Sequence, residues 1–186
     1  MENDIEIKEE KPRFSLDKKK ICKIASIALP LLLILCSFAV VIYYILGPAE
    51  GYFHSDCTDT ILWAQASYDS GKLISDNFKY AALLPFGGNL LMLPFIPIFG
   101  VSMTTHNIGM VLFAVLFFLS LYALARSLGY NLAKTSFIIF AVTMVLSGSD
   151  KLREIMWGHI IYYSLGLLFL AFGLYLVNKT PCDRLL

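Results

Sequence analysis

The sequence predicts an all-α polytopic membrane protein with about four transmembrane helices, and three observations carry that prediction. Apolar residues make up 58% of the 186 residues and charged residues only 16%, which is too apolar a balance for a soluble domain of this size. Several apolar runs are long enough for a helix to cross a hydrocarbon core, a path that takes roughly 20 residues. The charge is also unevenly placed. Net charge is only +1, yet residues 11–23 hold Lys11, Arg13, Lys18, Lys19, Lys20 and Lys23 against the single Asp17. A short basic block ahead of an apolar run sets membrane orientation, so no nucleic-acid partner is inferred from it. The four cysteines are scattered and no CxxC occurs, so neither a zinc site nor a disulfide framework is supported.

Residues 1–20 are polar and lack hydrophobic periodicity, and read as a disordered cytoplasmic tail. Residues 21–46 are the first span. The run is longer than the apolar region of a signal peptide and ends at no small-x-small site, so it stays in the chain. The basic block before it holds the N-terminus in the cytoplasm, with Tyr43, Tyr44 and Tyr52 at the far interface. A long outer loop, 47–104, follows. Ser55 or Asp56 is suited to start a helix there, and Gly71 to stop it. Its blurred stripe of Ile61, Leu62, Ala64, Gln65 and Tyr68 suggests a surface helix lying at the membrane. Residues 81–101 are apolar but broken by Pro85, Gly87, Gly88, Pro94, Pro97 and Gly100, which disfavour a continuous helix. Charge decides how they run. If they do not cross, eleven of the fifteen Lys and Arg lie inside; if they cross, nine do. A re-entrant or interfacial segment is therefore expected. The remaining spans fall at about 105–128, 132–148 and 160–177, with an inner turn at Gly129-Tyr130-Asn131 and a second outer loop over 147–159. Residues 21–178 thus form one membrane domain, and 179–186 a tail, in a multi-pass protein of the cell membrane.

The chemistry concentrates on the outer side. His54, Asp56 and Asp59 fall within six residues. On a helix Asp56 and Asp59 share a face, so their carboxylates could converge on a hydroxyl as general base and helper, or on a divalent cation, with His54 adding a nitrogen ligand or a proton carrier. The simpler alternative makes Asp56 a helix cap and Asp59 an acid complementing the helix dipole. In the second outer loop, Lys151 and Arg153 could bind a phosphate while Glu154 and His159 offer proton transfer; the alternative is a solvated loop with Trp157 at the interface and His159 capping or lining the last span.

The tail, the span, the outer loop opening on an acidic motif and the helix patterned Asp56…Ala64…Gly71 together resemble the N-terminal part of GT-C-type integral membrane glycosyltransferases. Phe78-Lys79-Tyr80, Leu84-Pro85, residues 97–102 and residues 122–129 are similar to the aromatic and proline-bearing stretch that leads that family into its second span. The resemblance covers roughly residues 20–178 and implies transfer of a sugar from a polyprenyl-phosphate carrier to an unknown acceptor at the outer face of the cell envelope, with inversion. It implies Asp56 as general base, with Asp59 and His54 positioning the acceptor or a divalent ion, and Lys151 or Arg153 offsetting charge on the leaving phosphate. The second acid expected beside Asp56 is Cys57 here, and the family's enzymes carry more spans, so a truncated chain or a completing membrane subunit is expected. The competing class is a non-catalytic membrane scaffold or subunit. A transporter fragment fits less well, since ionisable residues are nearly missing from the first, third and fourth spans.

Overall fold

The computed structural model describes residues 18–47, 55–79 and 87–180, and among these the regular structure is entirely helical. Helix α1 (Lys18–Leu46) leads to α2 (Ser55–Ser70), a run of short turns ending in α3 (Ile96–Phe99), α4 (Met103–Ser127), α5 (Leu132–Leu146), α6 (Asp150–Arg153) and α7 (Tyr162–Lys179). Helices α1 and α4 are long and apolar enough to cross a membrane. Helix α5 makes a third if taken with its continuation Asp150–Gly158, which bends away by 114°. Helix α7 is apolar but shorter.

Four helices form a bundle in which α1 packs chiefly on α5 and α4 on α7. Leu29 and Leu33 of α1 share a groove with Tyr130–Ile138 at the start of α5. At the other end of α1, the Arg153 guanidinium that follows α5 lies 4.9 Å from the Tyr44 ring centroid. Helices α1 and α5 therefore run the same way. Asn178 Nδ2 near the end of α7 donates to the Ser127 carbonyl at the end of α4, at 2.8 Å, so α4 and α7 run together in the opposite sense. The buried positions His106, Gly109, Met110, Phe113, Phe117 and Ser120 of α4 recur at helical spacing, and the Phe118 ring meets Phe38 of α1 edge-on at 4.8 Å. On α5 the buried set is Thr135, Ser136, Ile139 and Thr143, small side chains that let helices approach closely where the hydrophobic effect is weak. Outward lie Ile24, Ile27, Leu35, Leu119, Phe137, Leu170 and Phe172, all exposed.

The charges separate by end. Lys18, Lys19, Lys20 and Lys23 at the start of α1, Arg126 in the last turn of α4, Lys134 in the first turn of α5 and Lys179 at the end of α7 occupy one end, here the basic end. Every described acid lies at the other, the cap end, on α2, on the turn after it and on α6 with its π-helical continuation Glu154–Gly158.

The cap is a folded layer. Helix α2 packs on the turns Gly88–Leu91 and Leu93–Phe95 and on α3. Pro94 and Pro97 sit in the first turns of their short helices, where a missing N–H is harmless. Gly87 turns the chain at φ 83°, and Gly88 passes so near Ile160 that a Cβ would stand 2.7 Å from its carbonyl oxygen. At the far end of this stretch the Gly100 carbonyl accepts from Thr105 Oγ1 of α4 at 2.7 Å. Residues 87–100 thus begin and end at the cap end; residues 81–86, part of the expected broken segment, lie outside the described residues.

Several boundaries differ from expectation for local reasons. Helix α1 starts at Lys18, inside the expected tail; residues 1–17 and 181–186 lie outside the described residues. Helix α5 stops at Leu146 because Ser147 is otherwise engaged: its carbonyl accepts from Arg153 at 2.8 Å and its Oγ from Trp157 Nε1 at 3.0 Å. Helix α7 starts at Tyr162, since Ile161 is extended and the Ile160 carbonyl accepts from Thr60 Oγ1 of α2 at 3.3 Å. The 147–159 loop is folded into α6 and the π-helical turn.

Candidate functional site

Helix α2 positions the acidic motif. Its buried face is Cys57, Thr60, Ile61, Trp63, Ala64 and Ser67, while Leu62 and Tyr68 are exposed. Of the expected apolar stripe, Ile61 and Ala64 lie on this face and Leu62 and Tyr68 do not. Ile61 and Ala64 join the apolar core and the Trp63 ring stacks on Phe78, while Cys57, Thr60 and Ser67 donate to the carbonyls of Gly158, Ile160 and Leu73. With that face buried, Asp56 points to the exposed side and Asp59 is half-buried. Asp56 sits in the first helical turn, where the N-terminal N–H groups favour a negative charge, and Ser55 Oγ donates to Asp56 Oδ1 at 3.4 Å. His54 lies outside the described residues.

The motif is fastened by one carbonyl. Cys57 Sγ–H donates to the Gly158 carbonyl at 3.1 Å, and His106 Nε2–H of α4 donates to the same oxygen at 2.9 Å. Both side chains are buried. The acceptor fixes His106 as the tautomer protonated on Nε2. Thr60 adds its bond to Ile160 two residues on. Asn89 Nδ2 donates to Ser67 Oγ at 3.0 Å and to the Leu73 carbonyl at 3.1 Å, tying the other end of α2 to the Gly88 turn. Asn89 Oδ1 is buried and has no hydrogen-bond partner among the described residues. Neither His106 nor Asn89 stands out in the sequence as a site residue. The one available signal is an ionisable side chain at the head of an apolar helix, which membrane proteins keep where it is paired.

The second group of expected site residues divides. Lys151 is highly exposed, its side chain at 83%, and pairs with Glu154 at 2.8 Å. Arg153 is turned inward: it donates to Ser147, pairs with Asp150 and lies over Tyr44. That makes Arg153 a brace between the ends of α1 and α5. His159 is buried near His106, and its carbonyl accepts from Ser164 Oγ at 3.4 Å. Of the residues expected at an open site, Asp56, Asp59 and Lys151 keep surface exposure, while Arg153, Glu154 and His159 are largely covered.

Chemically, the cap presents an accessible carboxylate on a helix whose other face is locked to the bundle. Asp56 can accept a proton from a solvent-side hydroxyl without any rearrangement of α2. Among the described residues, no three His, Cys, Asp or Glu side chains are grouped so as to hold a metal ion; Asp56 and Asp59 could supply two oxygen ligands, the rest coming from water or substrate. No family model, curated protein or solved structure matches the chain.

Proposed function

We propose that this chain is a membrane glycosyltransferase module of the GT-C type, with Asp56 as its general base. In this reading the four bundle helices cross the membrane, the basic end and N-terminus are cytoplasmic, and residues 81–101 form a re-entrant or interfacial segment beneath α2. The single observation that carries it is the exposed Asp56 carboxylate on a helix clamped to the end of an apolar bundle, opposite the basic residues. There a polyprenyl-phosphate sugar would be held with its chain in the bilayer and its head group at the cap. The acceptor hydroxyl attacks the anomeric carbon, its proton passes to Asp56, and the bond from that carbon to the phosphate oxygen breaks with inversion. Lys151, on the exposed side, would meet the leaving phosphate; Asp59 would orient the acceptor or share a divalent ion.

A second reading is favoured by the inward turn of Arg153, His159, His106 and Cys57. A cap so closely packed suits a scaffold or a membrane subunit that completes its site with a partner.

The test is transfer from a panel of polyprenyl-phosphate hexoses in membranes containing the protein. The Asp56→Asn chain should reach the membrane at the same level and lose at least about 100-fold in rate, the usual worth of a positioned general base. Activity that survives the substitution removes the base assignment. Absence of transfer with every donor, in membranes where the protein is present, favours the scaffold.

A further inference from the structure

At the basic end, α1 and α5 leave a groove of about 510 Å³ between them, lined by Leu29, Leu33, Tyr130, Ala133, Lys134, Phe137 and Ile138. Its composition is graded. Leu29, Leu33, Phe137 and Ile138 make an apolar channel, and Tyr130 and Lys134 stand at its mouth. Arg126 belongs to the same rim, since its Nη1 donates to the Tyr130 carbonyl at 2.8 Å. Lys134 is exposed and makes no ion pair among the described residues. The N-terminus of α5 is already capped by Asn131, whose Oδ1 accepts from the Lys134 N–H at 3.0 Å, so the charge offered to a ligand is that of the side chains. Along α1 the groove stripe Leu29–Leu33 continues at helical spacing through Ser26 and Cys22 to Lys19, in the stretch that also carries Lys18, Lys20 and Lys23. No described acid lies at this end.

A cationic rim over an apolar channel fits one class of molecule in a bilayer, an amphiphile with an anionic head. We infer that this groove is a binding site for an anionic phospholipid, with its phosphate at Lys134, Tyr130 and Arg126 and an acyl chain along Leu29, Leu33, Phe137 and Ile138. Basic residues at the cytoplasmic surface attract such lipids, and the groove adds a place for the chain, which a charged surface alone lacks. The inference rests on α1 and α5 being embedded in lipid.

The test uses the full chain with Phe137→Trp as a reporter in the groove. Phe137 is exposed, whereas the native Trp63 and Trp157 are buried at the opposite end, so lipid quenching reports on the new indole. The protein is placed in phosphatidylcholine vesicles containing either brominated phosphatidylglycerol or brominated phosphatidylcholine at one mole fraction. The phosphatidylglycerol probe should show a roughly fivefold higher apparent affinity, the factor one basic residue near the surface contributes. Adding Lys134→Ala should abolish the preference and Lys134→Arg should keep it, with helicity by circular dichroism unchanged in both. Equal quenching by the two lipids, or a preference that survives Lys134→Ala, overturns the site. No quenching by either probe overturns it together with the embedding of α5, so the two failures are distinguishable.

Discussion

Asp56 and Gly88 show how unequal single residues are in this fold. The exposed carboxylate was legible in the sequence because Ser and Asp start helices for a stated reason, the unsatisfied N–H groups of the first turn. What holds it in place was not legible, because the fastening bonds join residues far apart: His106 reaches a carbonyl 52 positions on, and Cys57 reaches the same one 101 positions on. A backbone acceptor has no side-chain signature, so Gly158 could not be picked out by type or spacing. Gly88 carries the steric counterpart. With a Cβ only 2.7 Å from the Ile160 carbonyl, Gly88→Ala should destabilise the cap by about 1–3 kcal/mol, as overpacking does. A Cβ added at Gly166 in α7 would meet nothing among the described residues within 4 Å, and Gly166→Ala should stabilise its helix by roughly 0.5–1 kcal/mol. Thermal unfolding in detergent, followed by circular dichroism, separates the pair; the same sign for both would contradict the close approach.

Among the elements, the long helices were the legible part, since runs of apolar residues between polar turns fix α1, α4, α5 and α7 to within a few residues. The broken stretches were not. Residues 147–159 hold charges of both signs and read as a loop, yet they fold, because Ser147 can serve two partners. Its carbonyl takes Arg153 and its hydroxyl takes Trp157, and the Trp157 ring is fully buried, edge-on to Phe117. Ser147→Ala leaves the first bond and removes the second. A buried indole N–H without a partner costs about 1–3 kcal/mol, so the variant should unfold at lower temperature and its Trp fluorescence should shift as the elbow loosens. An unchanged melting profile would mean the hydroxyl contributes nothing to the bend. Helix α2 is the converse case: its existence and limits were legible but its buried face was only half so, because beside the apolar Ile61, Trp63 and Ala64 it carries Cys57, Thr60 and Ser67, whose carbonyl partners have no sequence signature.

For the molecule as a whole, charge separation and helix direction agree on one arrangement, with every described acid at the cap end and Lys18, Lys23, Arg126, Lys134 and Lys179 at the other. Cysteine labelling on intact cells checks it. In a chain with Cys22, Cys36 and Cys182 replaced, Tyr68→Cys on the exposed side of α2 should react with an impermeant maleimide, and Leu128→Cys at the basic end should not. Cys57, at 0% exposure, should stay unreacted in both. Labelling of Leu128→Cys alone would turn the molecule over. The bonds that close the cap also impose an order on synthesis. Cys57 and Thr60 leave the ribosome 101 and 100 residues before the carbonyls they bind. At about 5–20 residues per second, that interval is on the order of 5–20 s. For that time the Cys57 thiol and Thr60 hydroxyl of α2 are without these acceptors. Because the closing carbonyls are those of Gly158 and Ile160, directly before α7, the cap can close only once these residues have been made. A chaperone or protease acting at the cap end would therefore meet the acidic helix before the cap has closed over it.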